Sequence, residues 1–427
     1  MEHNKFQRIA LQGWRQFEAV DIDLHERLTV ITGANGAGKS SILKVVSKHF
    51  GLELPFLSTP VLVGGKFVYK SGIFISLKKK LSNFFRKESH ATVGKISYTD
   101  SRESSLIVPD NQAAQYQLQI NDMPAVRGFH IDSHQILSNY QQVSSIPSNL
   151  TNPSHAYDIY YSEIHNRYYG GHSGYSPLYR MKESIISMAV FGEGNSRNQG
   201  NPELQKALQG FINVLHKVLP PSLGFIDISV RPPEIVLQTK SGEFLLDAAS
   251  GGISTLIDIA WRLHMFSLNG DSFVVTMDEP ENHLHPSMQR SLMQRLLNAF
   301  PKVQFIVATH SPFIISSVKD SNVYVLRYNV EDREIDGFIP ETTKSRVVSE
   351  RLDTINKASS ANEILREVLG VEATTPEWVS DELGRIAHKY KDFEITNELL
   401  VRIRTELKEI GYGDHYPSVL AELVSGK

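Results

Sequence analysis

Leu28–Val46 reads LTVITGANGAGKSSILKVV. A β-branched strand leads into a glycine-rich loop, and a helix opens at Lys39 or Ser40. Gly33, Gly38, Lys39 and Ser40 match the phosphate-loop pattern G-x-x-x-x-G-K-[ST]. Glycines let backbone N–H groups turn toward phosphate oxygens without Cβ clashes. The helix N-terminus places partial positive charge beneath the same anion. The expected cradle is Gly33, Ala34, Asn35, Gly36, Ala37, Gly38, Lys39, Ser40 and Ser41, with Lys39 on the β- and γ-phosphates and the Ser40 hydroxyl on Mg²⁺. A nucleoside-triphosphate site is the expectation from this stretch.

The rest of the composition bounds the answer. At 427 residues the chain suggests two or three subdomains. With 41% hydrophobic and 21% charged residues, it has the make-up of a soluble globular protein. A net charge of −3 gives no global reason to expect nucleic acid. The absence of cysteine excludes disulfides, thiolate metal sites and cysteine nucleophiles. MEHNKFQRIA has no apolar run of a secretory signal, and no stretch approaches the ~18 apolar residues of a membrane span. A cytoplasmic protein, with no membrane partner, is the expectation.

Residues 6–32 read as strands leading into the loop. Residues 51–130 turn Pro/Gly-rich and then alternate like strands, which predicts an antiparallel β subdomain holding a basic helix or hairpin. Residues 134–180, rich in Ser, Asn, Tyr, Gly and His, read as a long functional loop with one helix. ELQKALQGFINVLHKVL has helical spacing and is stopped by Pro220 and Pro221. From 224 onward strands and helices alternate, among them FIDISV, EIVLQT, FVVTM, VQFIVAT and VYVLRY. That alternation predicts an α/β fold with a largely parallel sheet flanked by helices. The tail from about 345 is charged and helical in pattern.

Three further pieces carry chemistry. FVVTMDE is an apolar strand ending in two carboxylates, where Asp278 would hold Mg²⁺ and Glu279 would deprotonate the attacking water. Ser250, Gly251 and Gly252 form a small-residue turn before a helix, a second anion-binding device. It opens a different helix from the first loop, so one natural solution is that it binds the γ-phosphate held by another copy of the chain; taken alone, the turn reads as a simple Ser/Gly N-cap. His310, in ATHSPF, follows a buried strand and can contact a γ-phosphate or the attacking water.

Together, in this order, these pieces resemble the ABC-type ATPase head, with a Walker A loop, an LSGGQ-like signature around Ser250, a Walker B pair at Asp278 and Glu279, and a switch histidine at His310. The signature departs from LSGGQ at its first position and at its glutamine. The resemblance implies an ATPase head over residues 1–340, with a β and loop insertion around 51–200, and a helical region over 341–427. It implies ATP and Mg²⁺, a Mg²⁺-sensing glutamine for which Gln135 is the candidate ahead of Gln141 or Gln142, and Arg15 near the nucleotide. It also implies a head-to-tail dimer, or a higher homo-oligomer, sandwiching two MgATP.

DEPENHLHPSMQR and ATHSPFIISSV are similar to the RecF-like and overcoming-lysogenization-defect (OLD) group. The chain lacks the long coiled coils of the chromosome-maintenance relatives and the C-terminal nuclease pattern of OLD proteins. It thus resembles the ATPase subunits of anti-phage systems such as Septu, PARIS and retron-linked operons. The resemblance implies a sensor that answers a DNA or phage-protein trigger and controls a separate nuclease or toxin effector. The alternative it implies is a RecF-like repair ATPase acting directly on DNA.

Three weaker signals are set against blander readings. LKKKLSNFFRK, with Lys78, Lys79 and Lys80, suits a nucleic-acid backbone, but reads better as a solvated amphipathic element. His283 and His285 are spaced i and i+2, which does not share a helical face. Ser173 in GHSGYS lacks the last glycine of a nucleophile elbow.

Overall fold

The computed structural model describes residues 4–73, 90–109, 113–133, 140–147, 152–171, 173–194, 197, 199–329, 346–371, 377–391, 393, 395–413 and 416–425. The chain divides into two compact units, Met1–Ala361 and Asn362–Lys427.

In the first unit, β1 (Phe6–Trp14), β2 (Phe17–Asp23) and β3 (Leu28–Gly33) precede helix α1 (Lys39–Ser47). Next come β4 (Phe56–Leu57), β5 (Thr59–Val63), β6 (Lys66–Lys70), β7 (His90–Tyr98), β8 (Glu103–Pro109), β9 (Gln115–Tyr116), β10 (Gln119–Asn121) and β11 (Gly128–Ile131). Helices α2 (Pro153–Tyr168), α3 (Pro177–Gly192) and α4 (Pro202–Val218) lead to β12 (Phe225–Arg231), β13 (Glu234–Thr239) and β14 (Gly242–Leu245). Then follow α5 (Gly251–Ser267), β15 (Val274–Asp278), α6 (Pro286–Ala299), β16 (Gln304–Ala308), β17 (Asn322–Asn329) and β18 (Arg346–Arg351).

Eleven strands form one sheet in the order β10-β8-β7-β1-β2-β18-β17-β3-β16-β15-β11. It is a mixed sheet with a parallel part and an antiparallel part. From β11 through β15, β16 and β3 to β17 every pairing is parallel. On the other side β1, β2, β7, β8 and β10 pair antiparallel. All six residues of β3 are buried, as expected of a central parallel strand covered on both faces.

Four sequence expectations are corrected here. Strands β7, β8 and β10, expected in a separate antiparallel subdomain, extend the main sheet, because β7 pairs β1 with Ile9 opposite Ile96. The rings of Phe6, His49 and Tyr98 then pack together beneath that join. FIDISV and EIVLQT do not enter the parallel sheet; they form β12 and β13 of a three-stranded antiparallel sheet with β14. Only Pro232 and Pro233 separate the two strands, and a tight turn permits only antiparallel pairing. The stretch read as a loop with one helix contains α2 and also opens α3. Asn152 and Ser176 cap these two helices through their side chains, each followed by a proline. At the tail, β18 is a strand inside the region read as helical, paired with β17.

The Asn362–Lys427 unit holds helices Glu377–Tyr390, Asn397–Glu409 and Tyr416–Ser425. They share a core that includes Val379, Leu383, Ile386, Ile403, Leu407 and Val419. The basic stretch with Lys78–Lys80 lies outside the described residues.

Candidate nucleotide site

Parallel register assembles the site. Asp278 lies opposite Ala308, Ala308 opposite Ile31, and Met277 opposite Ile131. The residues just past these pairs therefore emerge together at the carboxyl edge of the sheet, where open α/β sheets bind ligands. They are Gly33 and its loop, Asp278 and Glu279, His310, and Asp132.

The loop is held by its glycines. Gly33, Gly36 and Gly38 have φ of +137°, +78° and +103°. A Cβ on Gly33 would fall 2.4 Å from the Leu326 carbonyl oxygen, and one on Gly38 would fall 2.4 Å from Gln16 Nε2 and from Phe17. Ala34, Asn35 and Gly36 are exposed at the loop crest, while Ala37 is buried. Gly38 caps α1, whose Ile42, Leu43, Val45 and Val46 are buried under the sheet.

Lys39 is buried, and its Nζ donates to the carbonyls of Gly33 (3.1 Å) and Ala34 (3.4 Å) and lies 2.6 Å from His310 Nε2. Burial lowers its pKa, opposed by Glu279, Asp278 and Glu281. Asp278 is raised by burial, against a hydrogen bond from Ser40, and Asp132 pushes it up further. Glu279 has φ +48°, an uncommon conformation for a residue with a Cβ, and its N–H donates to Ala308 O at 2.8 Å. Burial and the neighbouring Glu281 push its carboxyl up to about 7, against His310. His310 donates its N–H to Glu279 Oε2 at 3.3 Å and sets Nε2 3.4 Å from Glu279 Oε1. Burial and Lys39 lower the His310 pKa, and Glu279 opposes them. Lys39, Ser40, Asp278, Glu279 and His310 are thus one connected cluster.

The other sequence candidates fall elsewhere. Ser250 is exposed at the head of α5, with no side-chain cap bond, and Gly252 approaches His283 and Leu284. Gly252 is buried, and a Cβ there would lie 3.0 Å from the His283 carbonyl oxygen. Arg15 lies over the Phe56 ring, 5.6 Å from its centroid. Its neighbour Gln16 reaches the loop, donating to Gly36 O at 3.3 Å. Gln135 lies outside the described residues. Gln141 is occupied by Gly174 O and the Ser176 N–H, and Gln142 is exposed. His285 caps α6 through its ring, which accepts from Ser287 N. Ser173 donates to Glu163.

Sequence reasoning missed four residues. Asp132 ends the apolar run FHID as Asp278 ends VVTMD, a signal that was legible. Gln16 and Glu281 sit beside residues that were singled out. Lys182, fully buried, binds Asp247 (2.7 Å) and Glu234 (3.3 Å) and so ties α3 to the segment that precedes Ser250. A lysine in a mid-helix position carries no sequence signal for that.

The donor set around Asp278 fits a hard divalent cation. Its Ser40 hydroxyl and the Asp278 and Asp132 carboxylates are oxygen donors. Among the described residues there is no group of three or more His, Cys, Asp or Glu that could hold a metal alone. An incomplete protein shell suits Mg²⁺, which keeps waters and takes phosphate oxygens.

A mixed sheet with this loop, carboxylate pair and histidine at one edge defines the head of an ABC-type ATPase. The chain belongs to the RecF/RecN/SMC N-terminal domain family, whose model matches residues 5–332. It is 24% identical over 310 residues to the Septu protein PtuA of Bacillus mycoides, covering 71% of this chain and 37% of that protein. It is 32% identical over 154 residues to the retron Vc95 probable ATPase of Vibrio cholerae, covering 34% of this chain and 30% of that one. The chain therefore spans about a third of the length of these relatives. Among solved structures, the SMC head domain from Thermotoga maritima aligns with a TM-score of 0.42 and 15% identity, over 82% of this chain and 99% of that one. Among the described residues no helix is long and apolar enough to cross a membrane.

Proposed function

We propose that the chain binds MgATP at the carboxyl edge of its sheet, hydrolyses it to ADP and phosphate, and serves an anti-phage system as a sensor controlling a separate nuclease or toxin effector. The observation that supports hydrolysis is the contact cluster of Lys39, Glu279 and His310 beside the Ser40–Asp278 pair. The likeness to Septu and retron proteins supports the defence role.

In this reading the loop amides from Ala34 to Ser41 cradle the phosphates and Lys39 neutralises them. Ser40 and Asp278 would hold Mg²⁺, with Gln135 the glutamine that the family resemblance assigns to it, and the ion would supply charge neutralisation on the phosphates. Glu279 accepts the proton of the attacking water, and a carboxyl titrating near neutrality is matched to that task. His310 is held between Lys39 and Glu279, where a γ-phosphate and its attacking water meet. The exposed Ser250 turn, with Gly251 and Gly252, completes the site of a second copy in a head-to-tail dimer. Such a dimer closes on ATP and opens after hydrolysis, which suits gating of an effector.

The test is sedimentation of Glu279→Gln protein with and without MgATP, followed by capture of the tagged variant from its own host. MgATP-dependent dimerisation abolished by Ser250→Arg is expected, with recovery of one small nuclease-like or toxin-like protein in fixed ratio. A MgATP-independent monomer would overturn the sandwich; recovery of DNA with repair proteins would overturn the defence role.

A further inference from the structure

We propose that Glu281 is a positioning residue that clamps the turn carrying His310 to the turn carrying Glu279, an inference that rests on the hydrolytic reading above. Glu281 is 6% exposed. Its Oε1 accepts the Thr309 hydroxyl and the Ser311 N–H, the latter at 3.2 Å. These two donors flank His310 on both sides in the chain. The Thr309 hydroxyl also accepts the Ser311 N–H at 2.8 Å, so three groups close one small ring around the histidine's backbone.

The clamp is anchored at both ends. Thr309 N–H donates to Ile31 O at 3.1 Å, and its carbonyl accepts the Thr32 hydroxyl at 2.8 Å, which fastens it to β3. Ser311 Oγ donates to Gln289 Oε1 at 2.7 Å, and Gln289 Nε2 donates to Leu284 O at 2.9 Å, which returns to the turn after Glu281. Asn282 N–H donates to Glu279 O at 3.1 Å, closing the turn that contains both glutamates. The backbone of His310 is therefore tied to the turn of Glu279 through the Glu281 contacts on both sides of it, beside its own N–H bond to Glu279.

A buried carboxyl is costly unless donors surround it. Here one oxygen is satisfied by the Thr309–Ser311 turn, and among the described residues the other, Oε2, has no hydrogen-bond partner. Glu281 neighbours Glu279 closely enough to push up its pKa. The residue thus sits between the base and the histidine's turn; among the described residues it makes no hydrogen bond to the glycine-rich loop, and only its charge reaches Lys39. Its loss should disturb the alignment of Glu279 and His310 and leave the phosphate cradle intact.

The experiment is steady-state ATP turnover with MgATP binding by calorimetry, for wild type, Glu281→Ala, Glu281→Gln, Thr309→Val and the Glu281→Ala/Thr309→Val double variant. Expected is a fall of about 10²-fold in kcat for Glu281→Ala, the size of loss that misplacement near 1 Å brings. MgATP affinity should stay within about threefold, since only transition-state alignment is lost. Glu281→Gln, which keeps the acceptor oxygen, should recover most of the lost rate. The double variant should lose less than the product of the two single losses, because both remove the shared Thr309–Glu281 contact. Thr309→Val preserves volume, so it carries the test if Glu281→Ala does not fold. Turnover in both single variants within about threefold of wild type would overturn the clamp. So would multiplicative losses in the double variant, or a Gln variant as slow as Ala. An inactive wild type would instead overturn the hydrolytic reading on which the clamp rests.

Discussion

Lys39 Nζ lies 2.6 Å from His310 Nε2, so the lysine of the glycine-rich loop and the histidine after β16 meet across β3, 271 residues apart in the chain. The ammonium is a donor only, so the imidazole nitrogen facing it accepts, and His310 is neutral in this arrangement. Burial and the Lys39 charge both lower its pKa, which fits. Phosphate entering this point meets a cation held between two carbonyls and an imidazole.

Lys39→Ala removes that cation while leaving the loop glycines. MgATP affinity should fall about 10²-fold or more, as when one partner of a buried charge pair is truncated. Calorimetric titration checks this, and wild-type affinity in the variant would refute the phosphate-loop assignment.

Glu279→Gln keeps shape but cannot take a proton. Binding of MgATP should persist while turnover drops on the order of 10²–10⁴-fold, the range for loss of a general base. Rapid-quench measurement of phosphate formation reads this directly; normal turnover would show that the base lies elsewhere.

The Glu279 carboxyl, raised to about 7 chiefly by burial, sets a pH prediction. A base works deprotonated, so kcat/KM should fall about tenfold per unit as pH drops below 7 and level off above it. A limb at ordinary carboxylate pH would contradict the assignment. Because kcat/KM reports the free enzyme, the comparison belongs to protein without bound nucleotide.

Stability should carry a separate pH signature from His49. Its ring lies 2.7 Å from the Tyr98 hydroxyl and 3.0 Å from Val46 O, and burial lowers its pKa from 6.5 to about 4. The unfolded chain therefore binds more protons than the folded one between these values. Stability is full above pH 6.5 and is lost as pH falls toward 4, by up to ~3 kcal/mol from this residue. His49→Gln should flatten that slope in denaturant titrations; an unchanged slope would exclude His49 as its source.

Gly38→Ala places a Cβ 2.4 Å from Gln16 Nε2 and Phe17 at φ +103°. Overpacking of this kind costs about 1–3 kcal/mol. A lower melting temperature together with lost nucleotide binding is expected, and a variant matching wild type in both would mean the loop tolerates another shape.

The strand–loop–helix at Leu28–Val46 was legible because its logic is local. Consecutive β-branched residues make the strand, glycines at Gly33, Gly36 and Gly38 permit positive φ, and Lys39 opens the helix. The same holds for VVTMDE, where an apolar run ends in carboxylates, and for the helix spacing of α4. Tertiary structure decided what those pieces meet. That Asp278 faces Asp132, that Glu281 ties down the turn of His310, and that Lys182 holds Asp247 depend on pairings far apart in sequence. The antiparallel strands β7, β8 and β10 likewise join the main sheet only through β1. Alternation of apolar residues states that a strand has a buried face, and leaves its neighbour to be chosen by packing across the whole core.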